Sequence, residues 1–219
     1  MLKIQRFVFN LFHENTFLIC DEITKTAAVI DPGMYDESEQ KAFKAFVNQN
    51  SLQLKYCINT HCHIDHILGN AFIKNEFGSE LLIPKEDEFL LDLMIAEADK
   101  FGVTLEPSPK ADAYIDETTK LLLGEIEGTF LSTPGHTPGE VSLYFEKEKV
   151  LFSGDVLFKE SIGRTDLWGG NHQTLLSSIK TKILVLPDDV KVYSGHESST
   201  TIGHERARNP FLITHVKQK

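Results

Sequence analysis

Apolar residues in this chain fall into short runs, which predict strands, separated by stretches with helical spacing. The first three runs are close together, which is typical of strands joined by tight turns. Later runs alternate with helical segments. The pattern predicts strands near residues 2–9, 15–20, 27–31, 54–58, 81–83, 111–115, 120–123, 128–133, 141–145, 149–154 and 191–194.

The helical segments carry apolar residues on one face. Asp36 and Glu39 have the spacing of a capping box, and the helix that follows has Phe43, Phe46 and Val47 on one side. Further helices are predicted at 66–77, 85–101, 172–184 and 198–208. An apolar stripe on the 85–101 helix is more typical of core packing than of substrate contact. It consists of Phe89, Leu90, Leu93 and Met94.

This order of elements predicts an α/β protein, and specifically an αββα sandwich of two mixed β-sheets flanked by helices. With 219 residues the chain lies within the range of one large domain, and a chain of this length buries about 70% of its unfolded surface on folding. No linker, low-complexity tract or short-period repeat interrupts the pattern. We therefore expect a single domain over residues 1–219.

The composition is that of an ordinary globular protein, with 41% hydrophobic and 25% charged residues. A net charge of -10 and the lack of a basic patch argue against a nucleic-acid partner. No apolar run is long enough to span a bilayer, and the first residues lack the apolar stretch of a secretion signal. These features predict a cytoplasmic protein without a membrane partner.

Three cysteines, an odd number without short spacings, give no support to a disulfide framework. Cys20 and Cys57 lie in predicted strands and are expected to be small core residues. Cys62 stands between two histidines, so its thiol is a candidate metal ligand. Because side chains alternate in an extended segment, we instead expect Cys62 to point away from its neighbours and to be buried.

The most informative segment of the chain is His61-x-His63-x-Asp65-His66. In an extended segment His61 and His63 present their imidazoles to the same side and can hold one ion. Asp65 and His66 diverge from that side, and a carboxylate and an imidazole are good ligands for zinc, iron or manganese. The cluster therefore predicts metal binding. Asp65 is also expected to be the N-cap of the following helix.

Three more candidate ligands, His136, Asp155 and His196, each follow a glycine at the end of an apolar run. Active sites of α/β sheets gather at strand ends, where glycine allows a sharp turn. The seven side chains together suffice for two cations, and a carboxylate can span both. A water bound to such cations ionises near pH 7 and can attack a polarised carbonyl. This chemistry predicts a hydrolase.

These segments resemble the metallo-β-lactamase superfamily, and within it the glyoxalase II-like hydrolases, most closely their short single-domain bacterial type. The similarity covers most of the chain and implies the metallo-β-lactamase fold, with hydrolysis of a small acyl thioester of the hydroxyacylglutathione type. It rests on Asn15-Thr16-Phe17-Leu18-Ile19, Val29-Ile30-Asp31-Pro32-Gly33, Thr60-His61-Cys62-His63-Ile64-Asp65-His66-Ile67-Leu68-Gly69-Asn70, Thr133-Pro134-Gly135-His136-Thr137-Pro138-Gly139, Gly154-Asp155-Val156-Leu157-Phe158, Gly163-Arg164-Thr165-Asp166, Gly195-His196-Glu197 and Asn209-Pro210-Phe211.

The resemblance also implies a two-metal site. Zinc is our first expectation for both ions, with iron and manganese as alternatives. Asp65 and Asp155 are the candidate catalytic carboxylates. Asp31 is expected either to orient a ligand histidine through a hydrogen bond or to be only a turn residue before Pro32-Gly33. The implied ligands are His61, His63 and His136 for one ion, Asp65, His66 and His196 for the other, and Asp155 as the bridge.

The substrate is less constrained by the sequence. Arg164, in a glycine-rich loop after Asp155, is expected either to bind an anionic group of the substrate or to pair with Asp166. Trp168 in the same loop either lines the pocket or packs the loop. Full-length glyoxalase II enzymes have a lysine at the position of Arg164, an aromatic residue at that of Ser198 and a C-terminal helical domain that binds glutathione. The chain departs from that pattern, so recognition of glutathione is left open.

Other functions fit the same histidine motif. In a related branch, the persulfide dioxygenases, two histidines and an aspartate hold a single iron. Metal storage is another reading, although glycine-rich loops around an open coordination position argue against it. Hydrolysis of another ester, a lactone or a lactam is also possible, because the ionised water bound to the cations could attack those carbonyls as well. His172, at a predicted helix start, and His204, on a predicted solvated helix, are expected to lie outside the site.

Overall fold

The computed structural model describes residues 1–213, which form fourteen strands and seven α-helices. The first six strands are β1 (Leu2–Phe9), β2 (Glu14–Asp21), β3 (Thr26–Ile30), β4 (Gln53–Ile58), β5 (Glu80–Pro84) and β6 (Ala113–Ile115). They form one sheet in the order β1-β2-β3-β4-β5-β6. The pairs from β1 to β3 are antiparallel, and those from β3 to β6 are parallel, so the sheet is mixed.

The remaining strands are β7 (Lys120–Leu123), β8 (Ile126–Ser132), β9 (Val141–Phe145), β10 (Val150–Gly154), β11 (Leu157–Phe158), β12 (Ser161–Ile162), β13 (Lys191–Ser194) and β14 (Thr200–Thr201). The second large sheet has the order β14-β13-β10-β9-β8-β7, while β11 and β12 form a small hairpin. Strand β10 is parallel to β13 and antiparallel to β9, so this sheet is mixed as well. Two mixed sheets flanked by helices confirm the predicted fold class.

The α-helices lie between these strands and after the last of them. They are α1 (Glu37–Gln49), α2 (Ile64–Ile67), α3 (Asn70–Phe77), α4 (Glu88–Glu97), α5 (His172–Ser178), α6 (Ile202–Arg208) and α7 (Pro210–Ile213). The predicted capping box of α1 is confirmed, because the Asp36 carboxylate accepts from the backbone of Glu39 and the Glu39 carboxylate accepts from the backbone of Asp36. Phe43 and Val47 are the buried residues of this helix.

The helix predicted over 66–77 is wrong in its bounds, because two helices, α2 and α3, occupy this region and the chain bends at Gly69. The residue before α2 is His63, so Asp65 lies in the first turn and is not an N-cap. The backbone N–H of Gly69 donates to the Pro32 carbonyl at 2.7 Å, and a Cβ at Gly69 would lie 2.1 Å from Sδ of Met34. The spacing of apolar residues in this segment does not indicate this close approach to a turn that is distant in the sequence.

Two further helix predictions need correction. Residues 85–101 consist of α4 between two 3-10 turns, and Phe89 is 49% exposed whereas Leu91 is buried. The helix predicted from residue 198 begins at Ile202, because Thr200 pairs with β13 as a strand and the Thr201 side chain caps the helix. Helix α5 continues as a π-helical turn to Ile183.

The chain divides into two compact units, each with its own core. The prediction of one domain over 1–219 stays a prediction, and residues 214–219 lie outside the described part. Within residues 1–213, no helix has the length and apolar character needed to cross a bilayer. The first unit comprises Met1–Ile115 and Leu121–Glu127, with Ile19, Phe43 and Ile58 fully buried. The second comprises Asp116–Lys120 and the residues from Gly128 onward, with Leu151, Leu175 and Val192 in its core.

Candidate metal centre

In the first unit, the candidate ligands gather at one edge of the sheet. Strands β3 and β4 are parallel neighbours, so their carboxyl ends lie at the same edge. Asp31 follows β3 directly, and the histidine segment begins three residues after β4. Strand β2 runs antiparallel to β3, so its first residue, Glu14, lies at this edge too. The strand order thus brings residues from three separate parts of the sequence together.

The imidazoles of the histidine segment lie against one another. The ring centroids of His61 and His63 are 4.9 Å apart, and those of His61 and His66 are 4.1 Å apart. Asp65 places Oδ2 at 3.6 Å from Nε2 of His66. His61 and His66 are fully buried. Donor atoms of Asp31, His61 and His66 lie within 4.8 Å of one another, so this group of nitrogen and oxygen donors suits a divalent metal ion.

Asp31 supports the histidine segment from the preceding strand. Its Oδ1 accepts from the backbone N–H of Thr60 at 2.7 Å, and its Oδ2 accepts from the Thr60 hydroxyl at 2.7 Å. The same Oδ2 lies 3.1 Å from Nδ1 of His66. Asp31 also has a φ of 50°, a left-handed conformation that belongs to the turn before Pro32. Asp31 therefore both contacts a candidate ligand histidine and belongs to the turn before Pro32, so features of both interpretations from the sequence are present.

Glu14 was missed in the sequence analysis, although it belongs to the same edge. Its side chain is fully buried, Oε2 accepts from the Thr16 hydroxyl at 2.8 Å, and Gly33 leaves room for it. Burial raises the pKa of the Glu14 carboxyl well above its usual range, while the neighbouring His66 opposes that change. An acidic residue at the first position of a strand with an apolar run at Phe17–Cys20 was the available signal.

The cysteines do not join the candidate ligands. All three are free and buried. Burial raises the pKa of the Cys62 thiol well above its usual range, which disfavours the thiolate that a metal would need. None of the candidate metal groups among residues 1–213 includes a cysteine. The position of Cys62 therefore agrees with the expected buried role.

In the second unit, the other three candidates also lie at strand ends. Strand β8 is antiparallel to β9, and β9 to β10, so β8 and β10 run in the same direction as β13. Their carboxyl ends carry His136, Asp155 and His196, and the Gly195 N–H donates to the Gly154 carbonyl at 2.9 Å. Asp155 Oδ2 lies 3.6 Å from Nε2 of His136 and 3.6 Å from Nε2 of His196. One carboxylate oxygen thus lies at the same distance from two imidazole nitrogens.

The Arg164 loop positions His136 through its backbone. Nδ1 of His136 lies 2.7 Å from the Arg164 carbonyl, which can only accept, so Nδ1 carries a proton, and in the neutral imidazole the lone pair is on Nε2. The Arg164 guanidinium makes two hydrogen bonds to Asp166, at 2.7 and 2.8 Å. This pair lowers the pKa of Asp166 to about 2. The substrate-binding role of Arg164 stays a prediction. Trp168 is half-buried in the same loop.

The comparison with known families extends over both groups of ligands. The family model of the metallo-β-lactamase superfamily matches residues 10–196. The chain belongs to this superfamily. A curated relative, the hydroxyacylglutathione hydrolase GloC of Haemophilus influenzae, is 40% identical over 208 residues, which cover 92% of this chain and 93% of the relative. The similarity stated from the sequence motifs is therefore confirmed at the level of the superfamily.

Among the solved structures that match, two cover nearly the whole chain. BLEG-1, a B3 metallo-β-lactamase, superposes with a TM-score of 0.87 at 35% identity, covering 97% of this chain and 99% of BLEG-1. TTHA1623 in a di-iron-bound form superposes with a TM-score of 0.84 at 31% identity, covering 95% of this chain and 100% of TTHA1623. Membership of this superfamily, together with the grouped histidines and aspartates, indicates a protein that binds divalent metal ions.

Glu140 is a second buried acid that the sequence analysis missed. Its Oε1 accepts from the backbone N–H of Asp155 at 2.7 Å, and its side chain is fully buried. The Glu140 carbonyl accepts from the Thr133 N–H, which closes the loop that contains His136. Glu140 thus connects two loops that carry candidate ligands. Its place at the end of the Thr133–Gly139 motif was a signal, but nothing in that motif indicated its partner.

We expect Glu140→Leu to lower both stability and metal affinity, because it leaves the buried N–H of Asp155 without this acceptor. Loss of such a bond costs about 1–3 kcal/mol. Urea unfolding of the metal-free variant measures the stability, and competition with a chelator measures the affinity. Glu140→Gln is the matched control, since it retains an oxygen acceptor. Equal losses in the two variants would contradict the assigned role of this hydrogen bond.

The two histidines predicted to lie outside the site occupy the expected elements. His172 is the first residue of α5, after the N-cap Asn171. His204 lies on α6, and its Nε2 is 2.9 Å from Oε1 of Glu160 on the surface. Neither belongs to a candidate metal group among residues 1–213. They are therefore suitable control positions.

Proposed function

We propose that this protein is a metal-dependent hydrolase of small acyl thioesters, similar in activity to hydroxyacylglutathione hydrolases. The observation that carries the proposal is the presence of buried histidines and aspartates at the strand ends of both units, in a chain 40% identical to hydroxyacylglutathione hydrolase GloC. Because 93% of that relative is covered, the likeness concerns the whole hydrolase and not a fragment of it. A cytoplasmic location accompanies this proposal as an expectation.

For the metals, we propose the assignment that the superfamily implies. It is supported by the family match, which spans all seven residues, and by the shared position of Asp155 Oδ2 between two imidazoles. Zinc stays our first expectation, and the di-iron form of TTHA1623 keeps iron as the alternative. The ligands are His61, His63 and His136 for one ion, Asp65, His66 and His196 for the other, and Asp155 between them.

The chain itself supplies orientation and charge. The Arg164 carbonyl holds Nδ1 of His136, and Asp31 fixes the backbone of Thr60 at the start of the histidine segment. Asp65 and Asp155 offset the positive charge of bound ions. Divalent ions held by these residues would lower the pKa of a bound water to about 7 and would polarise the thioester carbonyl. In our proposal the Arg164 guanidinium binds an anionic group of the substrate, which requires it to exchange its partner Asp166.

The decisive experiment combines metal analysis with a thioester assay before and after chelation. We expect about two metal equivalents per chain and hydrolysis of lactoylglutathione, followed as loss of the thioester absorbance. Treatment with a chelator and its removal should abolish turnover, and added zinc should restore it. Unchanged turnover in the metal-free sample would contradict the proposal. One iron per chain with oxygen uptake on glutathione persulfide would instead indicate a persulfide dioxygenase.

Hydrolysis of β-lactams is a second candidate, favoured by the similarity to BLEG-1 at 35% identity over 97% of this chain. The same attack on a carbonyl would open a lactam ring. A chromogenic cephalosporin, assayed beside lactoylglutathione on one preparation, separates the two candidates. A higher kcat/KM for the cephalosporin would replace the thioester proposal.

A further inference from the structure

We propose that the Thr60 hydroxyl is a positioning group that sets the tautomer of His61 and thereby prepares this histidine for a metal ion. The inference rests on the proposed metal site and adds a residue that has no role in it so far. Thr60, Asp31 and His61 are all buried, with exposed fractions of 1%, 2% and 0%. Their hydrogen bonds are therefore made within the protein, and water cannot readily replace a missing partner.

The direction of each hydrogen bond follows from the available protons. The Thr60 hydroxyl lies 2.7 Å from Oδ2 of Asp31 and 3.1 Å from Nδ1 of His61. A hydroxyl has one proton to donate, and an ionised carboxylate can only accept. The Thr60 proton therefore goes to Asp31, and the hydroxyl oxygen faces His61 as an acceptor. Nδ1 of His61 must then carry the imidazole proton, which leaves the lone pair on Nε2.

Asp31 fixes the position of Thr60 as well as the direction of its proton. The second carboxylate oxygen, Oδ1, accepts from the Thr60 backbone N–H at 2.7 Å, so both oxygens of Asp31 bind the same residue. This paired contact leaves the hydroxyl little freedom to turn toward His61 as a donor. Asp31 is thus expected to act on His61 through Thr60.

At His136, a backbone group is the acceptor that fixes the tautomer. Nδ1 of His136 lies 2.7 Å from the backbone carbonyl of Arg164. A side-chain substitution does not remove a backbone carbonyl, and a carbonyl has no proton to donate. At His61 the acceptor is a side chain, so its contribution can be tested directly.

The first test uses imidazole nitrogen NMR on metal-free protein at a pH where His61 is neutral. We expect His61 to be protonated on Nδ1 in the unaltered protein and in Thr60→Ser, which keeps the hydroxyl. Thr60→Val, which has nearly the same shape, should give a mixture of tautomers. Asp31→Asn should favour protonation on Nε2, because its amide would donate to Thr60 and release the hydroxyl proton toward Nδ1.

The second test measures zinc affinity by competition with a chelator. Loss of a group that orients a metal-binding histidine typically weakens affinity by about 10–100-fold, and we expect this range for Thr60→Val. Asp31→Asn is not used in this comparison, because Oδ2 of Asp31 also lies 3.1 Å from Nδ1 of the proposed ligand His66. The affinity of Thr60→Ser should stay within about threefold of that of the unaltered protein, which is well below the loss of about 10–100-fold expected for Thr60→Val. Circular dichroism of the metal-free variants checks folding.

The two tests separate this inference from the proposed function. If the His61 tautomer is unchanged in both Thr60→Val and Asp31→Asn, the inference is wrong, whatever the enzyme hydrolyses. The same holds if Thr60→Ser loses affinity as strongly as Thr60→Val. Failure of thioester hydrolysis with an intact tautomer and tight zinc binding would overturn the proposed function alone. Should Thr60→Val not fold, Asp31→Asn still decides the direction of the proton.

Discussion

Replacing Asp155 by alanine is expected to abolish thioester hydrolysis and to remove about one of two bound metal equivalents. Oδ2 of Asp155 lies 3.6 Å from Nε2 of both His136 and His196, so its loss removes a negative charge that lies beside two candidate ligands. Two cations held close together repel each other unless a carboxylate lies between them. Because stabilisation by metal ions is worth several kcal/mol in the transition state, we expect kcat/KM to fall by roughly 1000-fold or more.

The metal content of Asp155→Ala, measured by elemental analysis after dialysis, should be compared with its activity on one preparation. His204→Ala and His172→Ala are the controls, because their side chains lie outside the candidate metal groups among residues 1–213. Both should keep two equivalents and unaltered activity. Loss of metal in His204→Ala, or full metal content in Asp155→Ala, would show that the ligand assignment is wrong.

Gly135→Ala is expected to lower the stability of the protein strongly and to displace His136. Gly135 has a φ of 138°, and an added Cβ would lie 2.3 Å from both N and Cα of Leu175 in α5. These contacts are with backbone atoms, so the loop or the helix must move. Backbone strain and overpacking each cost about 1–3 kcal/mol, which together predicts a loss of roughly 3 kcal/mol or more.

Thermal unfolding of metal-free Gly135→Ala measures this effect, and we expect Tm to fall by roughly 6–12 °C. Gly78→Ala is a matched control, since Gly78 also has a positive φ, of 67°, but a Cβ there would meet nothing within 4 Å. Only the conformational strain, about 1–2 kcal/mol, should remain. Similar losses at the two positions would mean that contact with α5 does not restrict Gly135.

Much of the fold was predictable because strand and helix periods are local properties of the chain. Strands β9 and β13 have the predicted bounds, and the capping box of α1 is present as expected. The errors arose where a distant contact overrode the local pattern. The chain bends at Gly69 to reach Pro32, and Thr200 joins β13 as a strand instead of beginning a helix.

The candidate ligands were predictable for a similar reason. Imidazoles and carboxylates are recognisable in a sequence, and their places at strand ends follow from apolar runs and glycines. The buried acids Glu14 and Glu140 were not found, because an isolated glutamate is usually exposed and its burial depends on the whole fold. For Arg164, the sequence left two roles open, and the structure shows the pair with Asp166.

By itself, then, the sequence determined the superfamily, the chemical types of the candidate ligands and their order along the chain. Only the tertiary structure decided which groups hold these side chains, or the backbone next to them, in place through hydrogen bonds. Asp31 and Thr60 are 29 positions apart, His136 and Arg164 are 28 apart, and Glu140 and Asp155 are 15 apart. Hydrogen bonds over such separations follow no period in the sequence. Asp31–Thr60 and Glu140–Asp155 form where neighbouring strands end or begin at the same edge of a sheet, and His136–Arg164 joins two loops.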